Sequence, residues 1–380
     1  MKLSIASSFA VTAALLAACP PPAEGKEGQG EEPCEEYAVD VSSEDIDGLG
    51  GPFDGRLRFP GPNILVPDQE RGHVIVGALN GGTGAIRVGR DGLLGGVELS
   101  GSFSGGQGGA AARRGSTGDV AIVMADMVLG EAQGFIITAD TEKVDAGLLS
   151  SAVGNPLPLV VDLGDEVLLG WAEDASAMFT RRVSWDDFLD GDASGGRTSV
   201  DFKFFESYSE ARAVRLASGT ILYVVAAGDV IRAFTSADDS VVLQSNPGVN
   251  TVALHAIADG ADALVSWITT DGEDAWRYHI VRVVAGGDVE EETNVAIDVG
   301  FTPYFTVSVS HLLAAVAGLD APGQSAVVFP DGSVEELKAD VFPSIGNLSV
   351  ETEGNTAVVA YWHTQSEDRP GLYLKSFCKR

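Results

Sequence analysis

The stretch Asp259-Gly-Ala-Asp-Ala-Leu-Val-Ser-Trp267 decides the fold. A polar turn with a glycine leads directly into a short and mostly apolar run. Such a run, bounded by turn residues and too short for an ordinary helix, is typical of a β-strand that is buried on both faces. The rest of the chain repeats this pattern of a turn followed by an apolar run.

Seven runs of this kind align along the chain, and their starts are 46, 47, 54, 42, 49 and 45 residues apart. The mean spacing is (357 − 74)/6, or about 47 residues. The runs are Val74–Ala78, Val120–Met124, Val167–Trp171, Ile221–Val225, Ala263–Trp267, Leu312–Val316 and Ala357–Tyr361.

Further strand-like runs flank these seven on both sides, for example Leu157–Leu163 before the third run and Trp276–Arg282 after the fifth. A unit of three or four strands that repeats every 40–50 residues is the period of a β-propeller. The sequence therefore predicts an all-β protein, a β-propeller of seven blades with the ring closed near the chain termini. Six blades, eight blades or a stack of two sheets are the alternatives.

The amino-terminal residues have the layout of a secretory signal, with Lys2 followed by an apolar run from Leu3 to Leu16. The ending Leu16-Ala17-Ala18-Cys19 resembles the lipobox of bacterial lipoproteins. The resemblance implies that Cys19 is acylated and anchors the protein in the bacterial cell envelope. Pro20, in place of the aspartate that retains such lipoproteins at the inner membrane, favours the outer membrane. The alternatives are an ordinary cleaved signal peptide or, since the run is short of the roughly 20 residues needed, a membrane-spanning helix.

Three segments follow from these features: a signal peptide at 1–18, a tether at 19–36 and a propeller domain at 37–380. The tether is rich in Pro, Gly and Glu and has no apolar side chain larger than alanine. Such a composition cannot bury enough surface to offset the entropy lost on ordering.

With Cys19 assigned to lipid, Cys34 and Cys378 remain as a pair in an oxidising compartment. A disulfide between them would join the two ends of the ring. Two unpaired thiols are the alternative, because spacing alone does not establish a disulfide.

The chain is strongly acidic, with 55 Asp and Glu against 24 Lys and Arg, and a formal net charge of −31. This charge argues against nucleic acid as a partner, because phosphates are bound by Lys and Arg. It also disfavours a polybasic contact with lipids, so the acyl chain would be the attachment to the membrane. High net charge favours a soluble monomer and a basic or cationic partner, although adaptation to salt would produce the same composition.

The segment Asp190–Asp201 is the best candidate for a metal site. It resembles the calcium loop of the EF-hand family, with Asp190, Asp192 and Ser194 at positions one, three and five and Asp201 at position twelve. It departs from that family in having Asp in place of Glu at position twelve, Arg197 at position eight and flanks that do not read as two helices. The segment is therefore either a calcium-binding loop, with calcium as the one candidate cofactor, or a plain acidic turn in an inserted loop.

The loops that follow six of the seven apolar runs carry acidic residues, and in a propeller such equivalent loops gather on one face. This predicts an acidic face that attracts cations or a basic partner, against the alternative of an ordinary solvated surface. Its candidate residues are Asp126, Glu173, Asp174, Asp229, Asp271, Asp274, Asp320 and Asp368.

The sequence contains no recognisable catalytic set. His73 and His311 precede equivalent strands and are interpreted as structural, and Trp171, Trp267 and Tyr361 share a register position that indicates core packing. These observations favour a lipid-anchored binding or scaffold module over an enzyme. A propeller-type glycan hydrolase or lyase with channel carboxylates and a structural envelope protein without a small ligand are the alternatives.

Overall fold

The structure is a computed structural model that describes residues 34, 36–49, 64–68, 72–79, 82–100, 107–126, 129–173, 177–201, 210–235, 240–271, 275–284, 287–318, 324–337, 348–366 and 369–380. Contacts divide the chain into two units, Met1–Cys34 and Glu35–Arg380, and the second unit contains the strands and helices described below. Cys19 and the signal segment lie outside the described residues. No helix among the residues described is long and apolar enough to span a membrane.

The second unit is a seven-bladed β-propeller, as the repeat predicts. Each blade is an antiparallel sheet of four strands. Blade one contains β2 (Ile64–Asp68), β3 (Gly72–Leu79), β4 (Gly82–Gly89) and β5 (Gly92–Ser100). Blade two contains β6 (Gln107–Arg113), β7 (Val120–Asp126), β8 (Glu131–Ile137) and β9 (Lys143–Ser150). Blade three contains β10 (Asn155–Asp162), β11 (Glu166–Ala172), β12 (Ala177–Ser184) and β13 (Arg197–Asp201).

The remaining blades follow the same plan. Blade four contains β14 (Glu210–Arg215), β15 (Ile221–Ala227), β16 (Val230–Phe234) and β17 (Val241–Ser245). Blade five contains β18 (Asn250–Asp259), β19 (Asp262–Thr270), β20 (Trp276–Val283) and β21 (Val289–Ala296). Blade six contains β22 (Pro303–Val309), β23 (Ala314–Gly318), β24 (Ser325–Val328) and β25 (Val334–Glu336). Blade seven contains β26 (Leu348–Glu353), β27 (Thr356–Ser366), β28 (Arg369–Cys378) and β1 (Ala38–Val41).

The ring is closed by blade seven, which takes its fourth strand from the other end of the chain. β1 pairs antiparallel with β28, so that Ala38 lies opposite Lys375 and Val41 lies opposite Leu372. The first strands of neighbouring blades contact one another around the whole ring, from β2 through β26 and back to β2. The prediction of a ring closed near the termini is therefore confirmed.

The hydrophobic cores lie between the blades, with one cluster at each of the seven junctions. The second strands are buried on both faces because successive side chains of a strand point to opposite sides of the sheet. β7 shows the pattern: alternate residues pack toward blade one and toward blade three. The first set is Val120, Ile122 and Met124, and the second is Ala121, Val123 and Ala125. This double burial explains the continuous apolar runs in the sequence.

Two short helices interrupt the strands. α1 (Ser43–Asp47) begins with a capping box in which the Ser42 hydroxyl accepts from the Asp45 N–H and the Asp45 carboxylate accepts from the Ser42 N–H. α2 (Trp185–Leu189) begins at Ser184, whose hydroxyl accepts from the Asp187 N–H at 3.0 Å. Both helices contribute fully buried side chains, Ile46 from α1 and Trp185 and Phe188 from α2.

The described structure supports the predicted disulfide, since Cys34 and Cys378 are both disulfide-bonded. Hydrogen bonds join the ends of the propeller beside it. The Ser376 N–H donates to the Tyr37 carbonyl at 2.9 Å, and the Tyr37 N–H donates to the Ser376 hydroxyl at 2.6 Å. The two ends of the propeller domain thus meet in blade seven.

Candidate functional site

A cavity of about 310 Å³ lies among the first strands of blades seven, one and two, the strands nearest the axis of the ring. We call it the axial cavity. Its polar side chains are Arg113, Glu351, Thr352 and Glu353, which lie where their strands end at the turns to the second strands. The cavity is also lined by Leu65, Val66, Pro67, Ala111 and Ala112.

Arg113 and Glu353 form an open ion pair at this cavity. Arg113 Nη1 donates to the Pro67 carbonyl at 3.2 Å, and Arg113 Nη2 lies 3.7 Å from Glu353 Oε1. The latter distance exceeds that of a charge-assisted hydrogen bond, about 2.7–2.9 Å. Because the Glu353 side chain is 60% exposed, we expect water to screen this pair and its contribution to stability to be small.

Glu351, on the same strand, faces a group of histidines. His255 Nε2 lies 3.7 Å from Glu351 Oε1, and the same oxygen accepts from the Thr352 N–H at 3.0 Å. Burial lowers the pKa of His73 and of His311 to about 4, and the nearby Glu351 carboxylate opposes that shift in both. His73 and His311 are therefore neutral at pH 7.

Three buried polar atoms in the region of Glu351 have no hydrogen-bond partner among the described residues. They are Thr352 Oγ1, His255 Nδ1 and His311 Nδ1. Buried polar groups in folded proteins are nearly always hydrogen-bonded, so a cluster of such atoms needs an explanation. The region combines two carboxylates, a guanidinium and spare hydrogen-bonding capacity in one place.

The sequence-predicted calcium loop lies elsewhere, in blade three. The short helix α2 precedes the loop and the strand β13 follows it, so the loop does not lie between two helices, as expected. Asp190 ends α2, and Asp192 Oδ1 accepts from the Ser194 N–H at 2.8 Å. Hydrogen bonds from the hydroxyl and N–H of Ser194 lower the pKa of Asp192. Asp201 lies in β13, and its side chain is outside the described residues.

Packing explains why residue 195 of this loop is glycine, because a Cβ on Gly195 would lie 2.0 Å from the Arg182 carbonyl oxygen. The described residues contain no group of three or more His, Cys, Asp or Glu side chains arranged to hold a metal ion. Since Asp201 is outside that search, calcium binding stays a prediction.

The predicted acidic face is only partly described. Asp126 is fully buried, and its Oδ1 accepts from the Leu129 N–H at 3.0 Å, so it adds no exposed carboxylate. Asp229 is half-buried, whereas Asp271 is exposed and accepts from the Ala275 N–H at 3.2 Å. The other predicted members apart from Glu173 lie outside the described residues: Asp174, Asp274, Asp320 and Asp368.

Glu173 is the most strongly bound member of this set. Its carboxylate accepts from Ser150 Oγ at 2.6 Å and Trp171 Nε1 at 3.2 Å, and Arg197 Nη2 lies 2.6 Å from Oε2. Burial raises the pKa of Glu173, but these hydrogen bonds outweigh burial and lower it. The acidic face stays a prediction, supported among the described residues mainly by Asp271.

The aromatic residues that share a register position are core residues, as predicted. Trp171 and Tyr361 are fully buried and Trp267 is 2% exposed. Trp267 Nε1 donates to Gln244 Oε1 at 2.5 Å, and the indole stacks on His279 with ring centroids 5.0 Å apart. These rings stabilise the junctions between blades and do not form an exposed platform for sugars.

Sequence reasoning missed the axial cavity, because Arg113, His255 and Glu351 come from blades two, five and seven and share no motif. One signal was available. Charged or histidine side chains occur near the carboxyl ends of otherwise small or apolar first strands, as in Ala110-Ala-Ala-Arg113. In a propeller these ends converge on the axis.

Comparison with known proteins agrees with the fold. No protein-family profile matches the sequence, and no curated protein matches it. Puromycin hydrolase superposes with a TM-score of 0.51 and 16% identity over 87% of this chain, but this chain covers only 53% of that hydrolase. Kuenenia stuttgartiensis hydrazine synthase superposes with a TM-score of 0.50 and 10% identity, over 81% of this chain and 94% of that one.

An oligogalacturonate lyase in complex with manganese superposes with a TM-score of 0.48 and 10% identity, over 85% of this chain and 98% of that one. At such identities these likenesses concern the fold alone. The seven four-stranded sheets define the chain as a seven-bladed β-propeller.

Proposed function

We propose that this protein is a lipid-anchored, extracytoplasmic β-propeller that acts as a binding module of the bacterial envelope. The observation that carries the binding role is the axial cavity, which brings Arg113, Glu351 and Glu353 together at one end of the ring. A concave site with a few convergent polar groups is the usual form of a small-ligand site.

The envelope location is supported by two features of the chain. The lipobox-like ending at Cys19 would supply the acyl anchor, with the outer membrane favoured by Pro20. A disulfide between Cys34 and Cys378 is suited to an oxidising compartment. About 15 tether residues would separate the anchor from the domain, which allows at most roughly 50 Å at about 3.5 Å per residue.

The anchor is tested by replacing Cys19. In a bacterial host that processes lipoproteins, the unmodified chain should incorporate a fatty-acid label and sediment with outer-membrane vesicles. The Cys19→Ala variant should lose the label and appear in the soluble fraction, while Cys34→Ala should keep the label. Labelling of Cys19→Ala would contradict the lipid anchor.

The binding role is tested by thermal unfolding of the purified full-length chain in the presence of a broad panel of small metabolites and envelope components. A bound compound should raise the melting temperature in proportion to the logarithm of its concentration. Failure of every compound and component to shift the melting temperature would contradict a binding module and favour a purely structural envelope protein.

We further propose that the face carrying Asp271 and Asp229 meets a basic protein or another cationic partner while the propeller itself is monomeric. The net charge of −31 supports a basic partner, since it repels acidic proteins and attracts basic ones at low salt. Asp271→Asn should weaken such an association and reduce its dependence on salt, measured by the association rate at two ionic strengths. An unchanged rate would remove Asp271 from the contact.

A second candidate function is a glycan hydrolase or lyase. One observation favours it: two carboxylates and an arginine line the same cavity. Such an enzyme would release new reducing ends from polysaccharide, and Glu351→Gln would abolish that release. No release from a panel of acidic and neutral polysaccharides would remove this candidate and leave the binding role intact.

A further inference from the structure

We propose that the axial cavity binds a small aliphatic zwitterion, either a free α-amino acid or a dipeptide. The guanidinium of Arg113 would take the ligand carboxylate and the carboxylate of Glu351 would take its ammonium group. This inference rests on the proposed binding function and names the class of ligand.

The anion side of the cavity is Arg113. Its Nη1 is held by the Pro67 carbonyl, while Nη2 has only the long 3.7 Å contact with Glu353 among the described residues. A ligand carboxylate would form shorter, charge-assisted hydrogen bonds with this guanidinium edge. Glu353 is mostly exposed, so it can turn to solvent when the ligand carboxylate replaces it.

The cation side is Glu351, whose side chain is 27% exposed. Its one ion-pair contact among the described residues is with His255, at 3.7 Å, which is longer than a hydrogen bond. The Glu351 carboxylate raises the pKa of His73 and of His311, but burial outweighs it, so both are neutral at pH 7 and do not compete as cations. Two carboxylates against one guanidinium leave this end of the ring able to accept an ammonium group.

The size and walls of the cavity limit the ligand further. A volume of about 310 Å³ lies at the lower end of the range for small-ligand sites. The apolar walls are aliphatic and include Pro67, Ala111 and Ala112, and no aromatic side chain is among the lining residues. Sugars are usually held by an aromatic face, so these walls suit a short aliphatic body better than a sugar ring.

Unpaired hydrogen-bonding groups support a bound ligand independently of charge. Thr352 lines the cavity, and its buried Oγ1 has no partner among the described residues. His255 is only 9% exposed, and its Nδ1 is likewise without a partner there. Thr352 would hydrogen-bond the ligand amine or carboxylate and fix its orientation.

The test is isothermal titration of the full-length chain with L-valine and with glycyl-L-alanine, each compared with its N-acetyl and carboxamide derivatives. We expect the zwitterions to bind and each derivative to bind at least tenfold more weakly, because each lacks one of the two charges. This comparison uses the unmodified protein, so it does not depend on the folding of a variant.

Substitutions then show which side chain binds the carboxylate of the ligand and which binds its ammonium group. Arg113→Met should remove the preference for the free carboxylate, and Glu351→Gln should remove the preference for the free amine. The matched controls are Arg277→Met and Glu290→Gln, exposed residues of blade five, which should bind as the unmodified chain does. Thermal unfolding of each variant verifies that it is folded.

The inference is overturned if the derivatives bind as tightly as the zwitterions, or if neither zwitterion binds at millimolar concentration. If other compounds raise the melting temperature while the zwitterions do not bind, the ligand class is wrong and the binding function stands. If no compound or envelope component raises the melting temperature, the binding function itself is contradicted.

Discussion

His363 Nε2 lies 2.9 Å from Asp40 Oδ1, which links the second strand of blade seven to the strand contributed by the amino-terminal part of the domain. The contact passes across β28, where the residue opposite His363 is Gly371 and therefore has no side chain to fill the space. His363 is almost fully buried. A polar contact thus joins strands that are not neighbours in the sheet and reinforces the closure of the ring.

The variant Asp40→Ala should destabilise the propeller by about 1–3 kcal/mol, because it removes a hydrogen-bond partner from the buried imidazole of His363. The measurement is urea unfolding followed by circular dichroism. Asp288→Ala, at an exposed turn of blade five, should change stability by no more than about 0.5 kcal/mol. Equal losses in the two variants would show that the contact is not important for closure.

Reduction of the disulfide between Cys34 and Cys378 should lower the free energy of unfolding by about 2–5 kcal/mol. The bond closes a loop of 378 − 34, or 344, residues, and the chain-entropy treatment assigns such loops on the order of 5 kcal/mol, with measured values often lower. Urea unfolding with and without a thiol reductant measures the difference. Cys378→Ser should unfold like the reduced protein and should not respond to the reductant.

The stability of the protein should fall as the pH drops from about 6.5 to about 4, in part because of His73. Burial lowers the folded-state pKa of His73 from 6.5 to about 4, so the unfolded chain takes up this proton first as the pH falls. Above pH 6.5 neither state is protonated and His73 contributes no pH dependence. The loss across this window is at most about 3 kcal/mol for this group.

Urea unfolding at pH 7, 6, 5 and 4 checks this effect, with His73→Gln as the comparison. The groups that face His73 are Tyr37, whose hydroxyl lies 3.4 Å from Nδ1, together with Glu351 and Arg113. The variant should lose less stability than the parent between pH 6.5 and 4. Parallel profiles would show that His73 is not the residue responsible.

The hydrogen bond from Trp267 Nε1 to Gln244 Oε1 should contribute to the stability of blades four and five. Gln244→Met leaves the buried indole N–H without its acceptor, and we expect a loss of about 1–3 kcal/mol. A double-mutant cycle with Trp267→Phe isolates the contact, since Gln244→Met should be less costly once the indole is absent. Additive losses would contradict a direct energetic link.

The sequence was sufficient to predict the seven blades because the second strands are buried on both faces. Residues such as Val123 and Ala125 face one junction while their neighbours face another, so each second strand must be continuously apolar. That requirement recurs in every blade, so the apolar runs repeat along the sequence at a regular spacing that does not depend on any one residue. Closure of the ring near the termini was predictable for a different reason, because a propeller must join its first and last blades.

The helices and the axial cavity were not predictable in the same way. α1 and α2 are five residues each, too short to show a helical period, and only their serine caps, Ser42 and Ser184, mark them. The cavity depends on single residues from distant blades, such as Arg113 and Glu351, which tertiary structure alone brings together. Asp126 lies in a loop-end position that predicts exposure, yet the structure buries it.

Blade seven is made of strands from both ends of the domain, and this determines the order in which the blades can fold. Among the strands, β1 (Ala38–Val41) is synthesised first and β28 (Arg369–Cys378) last. Ala38 lies opposite Lys375 across a separation of 375 − 38, or 337, residues. The other six blades each complete their sheets from contiguous sequence, so they can form as the chain emerges. Pairing of such distant strands is slow, because the entropy of loop closure is lost before contacts compensate for it. We therefore expect refolding to end in a single late phase, and until then β28 has an unpaired edge that is open to aggregation.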